Sequence, residues 1–227
     1  MTLPDTGRDG DGRFTVLASE RPYAGKIVTV RIDQVAMPGG GSANREVVEH
    51  MRAVGVVAVD DDGTVVLIEQ YRHPFRRRLW ELPAGLMDID GEPPVTCARR
   101  ELAEEAGLAA DRWSVLVDLA TSPGFCTESI RVYLARGLRP VPAPPPQDEE
   151  ADLRVVRVPL DEAVDAALAG RIVNATAVAG LLAASRALTG GTGPDLRRAE
   201  DDWTTGPALV NADAGVVDAP DIAPPAG

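Results

Sequence analysis

Between Ala53 and Arg72 the chain reads AVGVVAVDDDGTVVLIEQYR, two β-branched runs separated by Asp60-Asp61-Asp62-Gly63. An Asp-Gly pair between such runs suits a tight turn, so the spacing predicts an antiparallel hairpin. After LWELPAGLMDIDGEPP the apolar period changes from two to nearly four. Val95, Ala98, Leu102 and Ala106 then fall on one helical stripe, with Pro93 and Pro94 at the first turn and Gly107 as the stop. Strands are expected again at WSVLVDLA and IRVYLAR. A proline-rich acidic loop, RPVPAPPPQDEEAD, leads to a strand at LRVVRV and to helices near 160–169 and 175–188. Strands on both sides of helices describe an α+β chain built as an α/β/α sandwich with a mixed sheet.

Ahead of the hairpin, RFTVLAS, KIVTVRIDQVAM, a PGGG turn and REVVEHM predict a small N-terminal antiparallel β-element over 13–51. Residues 1–12 are polar and glycine-rich, a flexible start, and 52–189 form the main domain. From 190 to 227 Gly, Pro, Asp and Ala dominate, which predicts a largely irregular tail. Trp203 is the exception there, because a lone tryptophan in such a tail is expected to be pinned against something.

The formal net charge of −12 excludes a protein that holds nucleic acid by neutralising phosphates. An anionic ligand would need local help from a basic pocket or a bound cation. Cys97 and Cys126 are too few for a disulfide scaffold, and no apolar run approaches membrane-spanning length. With no basic-then-apolar leader at the N-terminus, the expectation is a cytoplasmic protein with no membrane partner.

The predicted first helix carries an unusual load. CARRELAEEAGL, residues 97–108, crowds Glu101, Glu104 and Glu105 within five positions. At about 100° per residue all three carboxylates share one face, with Glu105 roughly 40° and Glu104 roughly 60° on either side of Glu101. Like charges so placed cost a helix a few tenths of a kcal/mol. A divalent cation such as Mg²⁺ or Mn²⁺ removes that cost and bridges carboxylates to phosphate oxygens. On this segment alone a solvated helix with Arg99 and Arg100 as charge partners is the better explanation of the pattern.

Gly85, Glu92 and RELAEEAGL from Arg100 together resemble the Nudix box, the signature of the Nudix hydrolases. The seven-residue gap from Glu92 to Arg100 is kept, and Glu101, Leu102, Glu104, Glu105, Gly107 and Leu108 all match. One departure is that six residues rather than five separate Gly85 from Glu92, in a loop where an insertion is tolerable. The resemblance implies a Nudix-type α/β/α sandwich and hydrolysis of a nucleoside diphosphate linked to a further group. It also implies Mg²⁺ or Mn²⁺ held by Glu101 and Glu105, with Glu104 contributing and the Ala84 or Gly85 carbonyl approaching the ion. Arg100 would orient the glutamates.

From about Arg13 to Leu188 the chain further resembles the ADP-ribose pyrophosphatase branch. EQYRHPFRRRLWELPAG leads into the box, and TSPGF follows it with Pro123 at the place where the branch carries a proline associated with ADP-ribose. The resemblance implies cleavage of ADP-ribose to AMP and ribose 5-phosphate, a water-activating glutamate in the acidic loop, with Glu150 preferred to Glu149, and a homodimer through the N-terminal strands. Arg72 is the preferred phosphate contact, being an arginine at a strand end near the box. Glu81 would anchor a ribose hydroxyl or sit near the metals, Trp80 would stack on adenine or belong to the core, and Glu128 would reach the metals or the terminal ribose. The alternatives are another substrate of the same chemistry (a nucleotide sugar, NADH or an oxidised nucleotide) and a non-catalytic nucleotide-binding module.

Overall fold

The computed structural model describes residues 14–142, 152–188, 195–203 and 216–217. In chain order its elements are β1 (Val16–Ala24), β2 (Val28–Ala36), β3 (Ser42–His50), β4 (Ala53–Val59), β5 (Thr64–Arg72), β6 (Arg77–Glu81), β7 (Ala84–Leu86), α1 (Pro94–Ala106), β8 (Leu108–Ala120), β9 (Ser129–Pro140), β10 (Arg154–Pro159), α2 (Leu160–Leu168), α3 (Ala175–Leu188), β11 (Arg197–Arg198) and β12 (Val216–Val217). They form two units.

The first unit is an antiparallel meander, β1-β2-β3, with β12 parallel on the outer edge of β1. Residues 122–127 belong to it as well. The reason is hydrogen bonding at β3. The Val48 N–H donates to the Phe125 carbonyl at 2.7 Å, the Thr127 N–H donates to the Val48 carbonyl at 2.9 Å, and the His50 N–H donates to the Thr127 hydroxyl at 3.0 Å. Within the meander Arg31 is nearly buried and is neutralised by Asp33 at 2.9 Å and by Glu49.

The second unit is built on a mixed sheet in the order β10-β5-β4-β9-β8-β11. The predicted hairpin is β4 and β5, closed by a turn in which Gly63 has φ +84° and Asp62 accepts the Thr64 N–H and hydroxyl. Its strands pair only at Val59↔Val65, after which β5 diverges to pair with β6 and β10. The opposite end of the same edge of β4 is taken by β7, through Ala53↔Leu86, Val54↔Gly85 and Gly55↔Ala84. That exchange of neighbours brings the loop before the helix against the centre of the sheet.

Each face of the sheet buries its own cluster. On one side Val54, Val56, Ala58 and Tyr133 pack with Val95, Ala98 and Leu102 of α1. On the other, Val57, Val65, Leu67, Leu82 and Val132 pack with Ala163, Ala177 and Leu181 of α2 and α3. Period-two alternation along β4 and β5 and the 3.6-residue stripe on α1 are the physical origin of this layering. Helix α1 starts with Pro94, whose missing N–H costs nothing there, and ends where Gly107 takes φ +63° and donates to the Ala103 carbonyl. In the segment expected to be irregular, β11 pairs with β8 and β12 with β1. No helix among the described residues is long and apolar enough to cross a membrane.

Candidate active site

The site is assembled where α1 lies across β7. Glu101 is nearly buried although ionisable, and its carboxyl group rests directly on Gly85. A Cβ at position 85 would fall inside that carboxylate, so only glycine permits the approach. One turn further along, the Ala84 N–H donates to Glu105 Oε2 at 2.8 Å. Two neighbouring backbone units of β7 thus meet two glutamates of one helix edge.

Arg100 binds the remaining acids together. Its guanidinium donates to Glu101 Oε1 at 2.7 Å, to Glu104 Oε2 at 3.2 Å, and to both oxygens of Glu92 at 3.3 and 3.0 Å, with Asp88 3.5 Å away. The hydrogen bond from Arg100 holds the Glu92 carboxyl below its ordinary range. Burial pushes Glu101 the other way, up to about 7, with Arg100 opposing the rise and Glu104 adding to it. Cys97 lies beside this network, its Sγ 3.5 Å from the Leu86 carbonyl and 3.4 Å from the Arg100 guanidinium. Burial pushes its thiol up to about 12, as for a small buried filler.

A raised acid pKa makes a definite prediction for the metal-free protein. The folded state prefers protonated Glu101, so the associated stability is present below the ordinary value of 4.5 and is lost as pH rises to about 7. Glu101→Gln removes the charge without the volume. The variant is therefore expected to unfold at a higher temperature than the parent above about pH 7, by an amount worth up to about 3 kcal/mol, with the difference closing towards about pH 4. Metal-free thermal unfolding at the two pH extremes measures it, and a pH-independent difference would contradict it.

Among the described residues no three His, Cys, Asp or Glu side chains converge tightly enough to enclose an ion. Arg100 occupies the interval between Glu101 and Glu104 instead. The donor set still suits a hard divalent cation: carboxylates on one helix edge, facing a backbone segment kept free of side chain at Gly85. These residues fit Mg²⁺ or Mn²⁺.

The other candidates divide by strand parity. Glu81 faces the α1 side, 2% exposed, and is forked by Arg72 at 2.9 and 2.7 Å. Trp80 points to the opposite face, packs on the second cluster and lies under Arg154 at 5.8 Å. There it lines a groove of about 380 Å³ with Leu67, Val156, Val158, Ala163 and Ile172, away from the α1 carboxylates. Glu128 accepts the Thr121 hydroxyl at 2.6 Å. Pro123 belongs to the 122–127 segment of the first unit, and Glu149 and Glu150 lie outside the described residues.

Sequence reasoning passed over Asp88, Arg52, Asp118 and Arg131. The clue to the last two was an ionisable residue at an inward position of an apolar strand, in VLVDLA and IRVYL. Arg131 is 1% exposed and pairs bidentately with Asp118 at 2.8 and 3.0 Å.

Similarity to known proteins identifies the family to which this site belongs. The NUDIX domain model matches residues 49–179. The chain belongs to the Nudix family. It is 52% identical over 199 residues to the ADP-ribose pyrophosphatase of Mycobacterium tuberculosis, covering 88% of this chain and 95% of that protein. It is 36% identical over 148 residues to the ADP-ribose pyrophosphatase of Bacillus subtilis, covering 65% and 80%. It is also 35% identical over 162 residues to the methanol dehydrogenase activator of Bacillus methanolicus, covering 71% and 87%. Among solved structures an ADP compounds hydrolase superposes with a TM-score of 0.68 at 25% identity, over 76% of this chain and 92% of that one. Nudix ADP-ribose pyrophosphatases generally use divalent metals.

Proposed function

We propose that this Nudix enzyme hydrolyses the diphosphate of ADP-ribose to AMP and ribose 5-phosphate with Mg²⁺ or Mn²⁺, acting as a cytoplasmic homodimer joined through its N-terminal strands. The observation that carries the hydrolytic reading is the seating of Glu101 on Gly85 beside the Ala84–Glu105 hydrogen bond. The choice of ADP-ribose is supported by the relatives of that name, one of them at 52% identity over nearly the whole of its length.

In this reading Glu101 and Glu105 hold the cation, with Glu104 and the Ala84 carbonyl completing its surroundings. Bound there, the ion supplies neutralisation of the diphosphate charge and a more acidic attacking water. Arg100 keeps the carboxylates aimed, and each of its hydrogen bonds is charge-assisted. Arg72, 40% exposed beyond its fork on Glu81, offers a cation to the phosphates, and Glu81 sets its direction. Glu150, with Glu149 as the second choice, takes the proton of the water. Pro123 and Glu128 serve the far end of the substrate. Trp80 is left out of this site because it packs on the opposite face of the sheet.

A second reading keeps the chemistry and changes the substrate. It is favoured by the match to the GDP-mannose pyrophosphatase of Yersinia pestis, 42% identical over 79 residues, 32% of this chain and 39% of that protein. One panel decides between them: ADP-ribose, nucleotide sugars, NADH and an oxidised nucleoside triphosphate, each assayed with Mg²⁺. ADP-ribose is expected to give the highest kcat/KM with equal release of AMP and ribose 5-phosphate, and another compound ranking above it would transfer the assignment.

A further inference from the structure

The segment 195–203 is threaded across the sheet on the face that carries α1. It starts at the outer edge, where Arg197 and Arg198 pair with Val115 and Ser114 of β8, and Arg197 reaches Asp118 at 2.7 Å. Next, Ala199 enters the α1-side cluster and its carbonyl accepts the Tyr133 hydroxyl of β9 at 3.4 Å. The carbonyls of Asp201 and Asp202 then accept from Arg131 at 2.6 and 3.0 Å. Trp203 comes last, its ring 5.1 Å from the Arg131 guanidinium and 5.3 Å from that of Arg52, which immediately precedes β4. The segment therefore crosses β8 and β9 and reaches β4, one strand short of β7.

The register makes that end point significant. Asp118 pairs with Arg131, Arg131 with Val54, and Val54 with Gly85. These four residues form a single row across the sheet, and Gly85 is the one on which the Glu101 carboxylate rests. Arg52 also fixes β7 directly, because its carbonyl accepts the Met87 N–H at 2.9 Å. An indole within reach of a guanidinium is a favourable cation–π arrangement, strongest where water is excluded, and Arg131 is buried.

We propose that this strap, through Trp203, is a positioning element of the hydrolytic site: it holds the row Gly85–Val54–Arg131–Asp118, and with it the backbone on which Glu101 and Glu105 are set. Trp203 touches no reacting atom in this scheme. It acts through Arg131 and Arg52 on β7, and through β7 on the affinity of the glutamates for a divalent cation. The inference rests on Glu101 and Glu105 being cation ligands.

The test uses the full chain and Mn²⁺ alone, with free Mn²⁺ counted from its electron paramagnetic resonance signal in the absence of nucleotide. Outer supports of a metal site commonly alter affinity by about 10- to 100-fold. Trp203→Ala is expected to weaken Mn²⁺ binding by about tenfold at the low end of that range, and raising Mn²⁺ should restore its kcat. Trp203→Phe keeps a ring over the guanidiniums and should bind as the parent does. Arg52→Gln, which leaves the Arg131–Asp118 pair intact, should fall between, and it carries the test by itself if the alanine variant unfolds. Undiminished Mn²⁺ binding in Trp203→Ala and Arg52→Gln overturns the proposal, as does an equal loss in Trp203→Phe. A parent chain that binds no Mn²⁺ would instead overturn the cation reading beneath it.

Discussion

Replacing Glu105 by Gln is expected to lower turnover of ADP-ribose by at least about 10²-fold while the protein unfolds at an unchanged temperature. Glu105 is anchored by the Ala84 N–H at 2.8 Å, and a glutamine carbonyl accepts the same bond. Side-chain volume and backbone contact are thus retained, and what disappears is one negative charge. The fold tolerates that loss, because Glu105 stands on a helix edge that already carries Glu101 and Glu104. Catalysis does not tolerate it if the charge is what gathers a cation against the diphosphate. Steady-state rates at saturating Mg²⁺ together with thermal unfolding of the same samples separate the two effects. Undiminished turnover would remove Glu105 from the metal site and leave the acidic helix as a solvated surface.

The second large effect is on stability. Arg131→Met is expected to destabilise the protein by about 3 kcal/mol, the lower part of the range for breaking a buried ion pair from one side. Both side chains are sequestered, Arg131 at 1% and Asp118 at 4% exposure, so removing the guanidinium strands a carboxylate with little access to water. Burial alone would raise the Asp118 pKa, yet the hydrogen bonds from Arg131 and Arg197 outweigh it and hold the carboxyl below its ordinary range. Arg197 remains in the variant, at 2.7 Å, which is why the low end applies. The carbonyls of Asp201 and Asp202 lose their donor as well. Denaturant unfolding measures the change, and Arg131→Met with Asp118→Asn should recover part of it, since the stranded charge is then gone. Equal stability of parent and single variant would show that the pair is dispensable.

Much of this arrangement was legible in the linear sequence. The hairpin over 53–72 could be read because β-branched residues on either side of Asp-Gly leave few other conformations. Helix α1 could be read to within a residue at each end, since two prolines and a glycine mark its termini and the apolar stripe has one period. The carboxylate face followed from the same period. What could not be read was which face of β6 each residue presents. A five-residue strand without a clear apolar alternation carries no absolute parity, so Trp80 and Glu81 were equally eligible for the site. Pairing with β5, Ile68 opposite Glu81 and Glu69 opposite Trp80, assigns Glu81 to the α1 side and Trp80 to the other.

The sequence by itself determined the quantities that depend on neighbours along the chain: turn chemistry, helix limits, and three acids brought to one edge by a fixed rotation per residue. Only the tertiary structure decided what those acids meet. The replacement of β5 by β7 along one edge of β4 brings Gly85 under Glu101 and Ala84 to Glu105, although 16 and 21 residues separate the members of these pairs. The contact of Trp203 with Arg131 spans a still longer separation. Local propensity has no term for such distances. They are set by the register of strands and by the requirement that each buried charge and each buried backbone group find a partner.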